Sequence, residues 1–177
     1  SGDLSGWTDH LGAYSISGGA LTYDGNGGRG TIVTSRGIGT DYTIEADVTP
    51  DTMVSGKTFG ITFRYNDSNN NYLFVYTPDT GLRFLKRADN KLDINKTRDD
   101  YTLEAGKTYR FKVVVQGNRF TCYIGEKEIF DITDDSGSVP ALATGPCGLY
   151  TSGMTADYDN ITIKSSVTAF PTVLGGT

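Results

Sequence analysis

Long apolar runs are missing from this chain. No stretch approaches ~20 residues, so nothing in it spans a membrane as a helix. Basic charge is sparse: 16 Lys and Arg stand against 21 Asp and Glu, for a net charge of -5. There is no basic stripe and no lysine-rich tail, which argues against nucleic acid as a partner. Histidine occurs once, at His10, without the spacing of a zinc site or a catalytic triad, so a surface position is expected for it. Cysteine occurs twice, at Cys122 and Cys147. Both alternate with core residues, and two small buried thiols are expected in preference to a disulfide. Helical periodicity, internal repeats, a phosphate loop and a cysteine metal cluster are all absent.

Glycine is abundant, 23 of 177 residues, well above the ~7% of ordinary proteins. Together with Asn and Asp clusters it implies many tight turns. Eight Phe and 11 Tyr supply core volume. The length suits one domain. A sandwich over residues 1–164 is expected, with 165–177 as a linker or a C-terminal tail. The opening Ser1-Gly2 reads as a trimmed boundary, so a leader or a neighbouring domain is expected before it.

Short alternating segments fill the chain. Trp7 to Tyr14, Ala20 to Tyr23 and Gly30 to Thr34 read as strands. Tyr42 to Thr49 puts Tyr42, Ile44, Ala46 and Val48 on one face and Thr43, Glu45 and Asp47 on the other. Phe59 to Arg64 and Tyr72 to Thr77 form a hairpin, and Leu82 to Arg87 follows. Tyr109 to Val115, Phe120 to Ile124, Glu128 to Ile132, Cys147 to Thr151 and Tyr158 to Ile163 complete the set. The pattern predicts an all-β fold, a two-sheet antiparallel β-sandwich.

Parity then selects a candidate site. With Thr62 opposite Phe74, the residues Phe59, Ile61 and Phe63 join Leu73, Val75, Leu82 and Phe84 in the core. The second face then carries Arg64, Tyr72, Tyr76, Arg83, Leu85 and Arg87, with Glu45 and Asp47 beside them. Aromatic rings suit the C–H face of a sugar, and arginines and carboxylates suit its hydroxyls. Glu45, Asp47, Arg64, Tyr72, Tyr76 and Arg83 are the candidate ligand-binding residues. The competing reading is a solvated face with a Glu45–Arg64 ion pair. Failing this face, the loops Asp24 to Gly28, Arg36 and Tyr65 to Asn71 come next. Trp7 is expected to be a core residue. The run Asp131, Asp134, Asp135 is expected to be a solvated turn.

Three stretches carry a resemblance: Trp7 with Tyr14-Ser15-Ile16 and Gly19-Ala20-Leu21; Tyr109 to Asn118 with Tyr123-Ile124-Gly125-Glu126; and Gly148-Leu149-Tyr150-Thr151 with Tyr158-Asp159-Asn160-Ile161. The chain resembles the laminin-G-like, concanavalin A-like jelly rolls found beside bacterial glycoside hydrolases. Within these it is most similar to the fructan-binding modules of levanases. The resemblance implies a secreted or cell-surface, non-catalytic carbohydrate-binding module, attached to an extracellular enzyme or adhesin. Its partner would be a poly- or oligosaccharide. It also implies a structural Ca2+, with Asp159 and Asp3 as ligands and the Asp24 to Gly28 loop as a further source of oxygens. For Asp159 the alternative is a turn carboxylate. A laminin-G-like protein-interaction module is the second functional class. A glycoside hydrolase is the third: Glu45 and Asp47 share a face, but the three alternating acids of laminarinase-like enzymes are absent.

Overall fold

The computed structural model describes residues 4–10, 14–24, 28–35, 38–135 and 139–165. These form fourteen strands and no helix. In chain order they are Trp7–His10 (β1), Tyr14–Ser17 (β2), Ala20–Tyr23 (β3), Arg29–Thr34 (β4), Tyr42–Pro50 (β5), Thr58–Asp67 (β6) and Asn70–Thr77 (β7). Gly81–Ala88 (β8), Lys91–Arg98 (β9), Tyr109–Gln116 (β10), Arg119–Ile124 (β11), Lys127–Thr133 (β12), Gly148–Ser152 (β13) and Ala156–Ser165 (β14) follow. The first sheet has the order β1-β4-β13-β6-β7-β8-β9, and the second β12-β11-β10-β5-β14-β3-β2. All pairings are antiparallel, and the all-β sandwich is as expected.

The core lies between the sheets. Strand β5 alternates as its sequence requires, with Tyr42, Ile44, Ala46 and Val48 buried and Thr43, Glu45, Asp47 and Thr49 partly exposed. Phe59, Phe63, Phe74, Phe84, Phe111 and Phe120 meet it from the other strands. Ring pairs such as Phe63–Tyr72, 5.3 Å between centroids and stacked, knit the layers together. Trp7 is half-buried and packs against this core. Cys122 and Cys147 are free, fully buried thiols.

Two expectations fail, each for a local backbone reason. The β6–β7 register is Phe59↔Tyr76, Ile61↔Phe74 and Thr62↔Leu73, one residue away from the expected pairing. An irregularity between Phe63 and Asp67, with Arg64 at φ 46°, takes up the difference. A one-residue slip turns every side chain over. Tyr72 and Tyr76 therefore lie in the core, and Leu73 and Val75 lie outside. The second failure is β9, which was not expected at all. Lys86 pairs with Ile94 and Arg87 with Leu92, so Asp93 bulges and breaks the period-two pattern.

Candidate functional site

The six predicted ligand-binding residues fall in three places. Glu45 and Asp47 stand on the outer face of the second sheet, between β10 and β14. There they hold Arg110, whose guanidinium lies 2.9 Å from Glu45 and 3.2 Å from Asp47. Arg110 also donates to the carbonyl of Asn160 and to the Thr162 hydroxyl, while Asn160 donates to Asp47 at 2.8 Å. Most of the donors on this face are thus already engaged by the protein. The expected pairing of Glu45 with Arg64 does not occur.

Arg64, Tyr72 and Tyr76 are core residues, 2%, 0% and 2% exposed. The Arg64 guanidinium donates to the carbonyls of Leu142 (2.6 Å), Thr40 (3.0 Å) and Gly117, and it lies over the Phe120 ring. Burial pulls this guanidinium below the ordinary arginine range. Tyr72 donates to Asp134 and accepts from the Leu142 N–H. Asp134 is 4% exposed and is no solvated turn residue. Its carboxylate lies 2.9 Å from the ammonium of Lys86, which also pairs with Asp93 at 2.8 Å and donates to the Val139 carbonyl. Arg64, Tyr72 and Lys86 together fasten segment 139–146 across one end of the sandwich. The Tyr65 N–H adds a bond to the Pro146 carbonyl. These groups are spent on holding a loop, which fits a structural role.

Arg83 is the predicted residue that lines an open concavity. On β8, Arg83, Leu85 and Arg87 point away from the core, since Leu82, Phe84 and Lys86 point into it. Leu85 packs with Leu73, Val75 and Tyr150 in a small apolar cluster on the outside of the first sheet. Arg87 lies over the Tyr150 ring, 5.6 Å from its centroid. Arg83 donates to the Asn95 side chain. Next to this cluster is a concavity of about 270 Å3. Arg29, Arg83, Arg87, Leu85, Ser68 and Asn69 line it, joined by Asn90, Lys91 and Leu92 of the β8–β9 hairpin. Burial, and then the charge of Arg87, hold the Arg83 guanidinium below its ordinary range.

This face has an apolar floor at Leu85 and Leu92, rigid guanidinium forks and a rim of amides and a hydroxyl. Such a set can grip a polyol: C–H groups rest on the floor and hydroxyls bond to the rim. Among the described residues no carboxylate lines the concavity. Sequence reasoning missed Arg29, Asn90, Lys91 and Leu92, and held Ser68 and Asn69 only in its fallback loop. Arg83 and Arg87 were legible because Leu82 and Phe84 fix the parity of β8.

The resemblance put a calcium at Asp159 and Asp3. No group of three or more His, Cys, Asp or Glu converges among the described residues. Asp159 accepts the N–H of Asn160 at 2.7 Å, as a turn carboxylate does. Asp3 lies outside the described residues.

The model of the 3-keto-alpha-glucoside-1,2-lyase-like domain matches residues 1–164. The chain belongs to this family. It is also 25% identical over 167 residues to the levanase of Bacillus subtilis. The match takes in 92% of this chain but 23% of the levanase, so the chain spans about a quarter of that relative's length. Among solved structures, the carbohydrate-binding module CBM66 of Bacillus subtilis superposes with a TM-score of 0.75 at 23% identity, covering 90% of this chain and 96% of the module. A Bacillus subtilis protein with a galectin-like fold gives 0.71 at 14% identity, covering 92% and 90%. The superpositions thus agree with the two-sheet sandwich that the sequence resemblance implied.

Proposed function

We propose that this domain is a non-catalytic carbohydrate-binding module, and that it binds a poly- or oligosaccharide on the outer face of the first sheet. One observation carries the reading: Arg83, Arg87, Asn69, Asn90 and the exposed Leu92 combine hydrogen-bond donors with apolar surface on one open, concave surface. The superposition with a whole carbohydrate-binding module supports it, as does the alignment to a minor part of a levanase. In this reading the domain serves a larger secreted or surface protein and holds it against a polymer.

The family description favours a second reading, elimination across C1 and C2 of a 3-keto-glucoside. That reaction needs a base at the C2 proton and a group to polarise the C3 carbonyl. The buried Lys86, Asp134 and Tyr72 are the natural candidates by residue type, and their bonds to segment 139–146 and to one another leave them without a free proton-transfer role. The test is retention on insoluble polysaccharides, levan first, alongside assays for reducing-sugar release and for breakdown of 3-keto-glucosides. Retention with no turnover is expected. Turnover that survives Arg83→Gln/Arg87→Gln and is lost in Asp134→Asn would replace binding with catalysis.

A further inference from the structure

We infer that the ligand of this face is an acidic polysaccharide, one whose carboxylate or sulfate groups enter the concavity beside Arg83 and Arg87. The inference rests on the carbohydrate-binding reading and narrows it.

The charge of the lining is one-sided. Arg29, Arg83, Arg87 and Lys91 contribute four cations, and among the described residues no carboxylate lines the concavity. None of the four takes part in an ion pair among the described residues; those pairs use Lys86, Arg98, Lys107, Arg110 and Arg119 instead. Acidic residues outnumber basic ones in this chain, 21 to 16. Four unpaired cations around one hollow therefore run against the overall balance. Like charges brought together and partly buried repel one another unless a counter-charge is supplied from outside.

The geometry suits a polymer. Arg83 and Arg87 are four residues apart on one strand, roughly 13 Å between Cα atoms, and both reach the same concavity. A single small anion meets one of them, whereas a chain bearing charge on successive units meets both. Guanidinium binds carboxylate and sulfate oxygens through paired N–H donors, with a planar match that ammonium lacks. Leu92, exposed at the rim, with the edge of Leu85 beside it, supplies the apolar surface on which the sugar rings rest.

Titration calorimetry of the full chain at low salt decides the matter, with alginate for uronate, dextran sulfate for sulfate, and levan and dextran as neutral polymers. Duplex DNA serves as a non-saccharide polyanion. The expected result is that alginate or dextran sulfate binds at least tenfold more tightly than levan. That binding should weaken as sodium chloride rises toward 0.5 M. Arg83→Gln/Arg87→Gln should lose at least tenfold at an unchanged melting temperature, while Glu45→Gln on the opposite sheet keeps its affinity. Should the double variant unfold, the salt series on the unmodified chain still separates an acidic ligand from a neutral one. Tighter binding of levan, lost in Arg83→Gln/Arg87→Gln, would overturn the acidic ligand and leave the face as a sugar site. Acidic polymers bound equally well by that variant would overturn the inference by moving the site elsewhere. DNA binding as tight as alginate would overturn the saccharide class. No binding to any polysaccharide would overturn both readings.

Discussion

Leu82, Phe84 and Lys86 alternate on one face of β8, so parity drives a lysine into a phenylalanine-rich core. Its ammonium survives there because Asp93 and Asp134 flank it. Burial alone would lower its proton affinity, but the two carboxylates outweigh burial and leave it above the ordinary lysine range. Removing one member of such a group strands the others. Lys86→Met is expected to destabilise the domain by about 3–5 kcal/mol, measured by chemical denaturation; a change below about 1 kcal/mol would show that the pair is solvated. Alkaline pH tests the same residues together. Burial raises the tyrosines Tyr42, Tyr72 and Tyr158 and the thiol of Cys147 above their ordinary values of 10.0 and 9.0. The folded chain keeps these protons where the unfolded chain releases them. Stability is therefore level below about pH 9 and falls as pH rises above it. Lys86 works in the same direction: its contribution is present below its unfolded value of 10.5 and is lost as pH climbs past its raised folded value. Melting temperatures from pH 7 to 11 should trace this decline, and a flat profile would contradict it.

Strands were legible where one face is polar. β5 and β10 alternate cleanly, and the structure follows them residue for residue. β7 is different: Tyr72, Leu73, Phe74, Val75 and Tyr76 are all buried, so the pattern cannot say which parity faces the core. The register was decided instead at Arg64, whose left-handed backbone no alternation reveals. β9 was hidden by the bulge at Asp93, and its edge position leaves it mostly exposed. Close approach of strands also sets requirements at this scale. Gly60 has φ 150°, and a Cβ there would run into the backbone of Phe74 and Val75. Gly60→Ala is expected to cost at least about 2 kcal/mol, read by thermal melting, whereas Gly117→Ala in an open turn should cost less.

At the scale of the whole molecule, two sheets offer two outer faces, and the residues expected to form one site were divided between these faces and the core. The sequence made the sandwich evident, because its alternation and turn residues recur throughout. The site was only partly readable: Arg83 needed nothing beyond strand parity, whereas Arg29 comes to it because β13 joins β4 to β6, pairings distant in sequence. The faces differ in what they leave available. Arg110 is fully engaged by Glu45, Asp47, Asn160 and Thr162, while Arg83 and Arg87 keep donors to spare. Amide chemical-shift mapping during titration with the best-bound polysaccharide tests this account most directly. Shifts are expected to concentrate on Arg29, Arg83, Leu85, Arg87, Asn90 and Leu92, with Glu45, Asp47, Arg110 and Thr162 unmoved. Shifts confined to the latter four would contradict it.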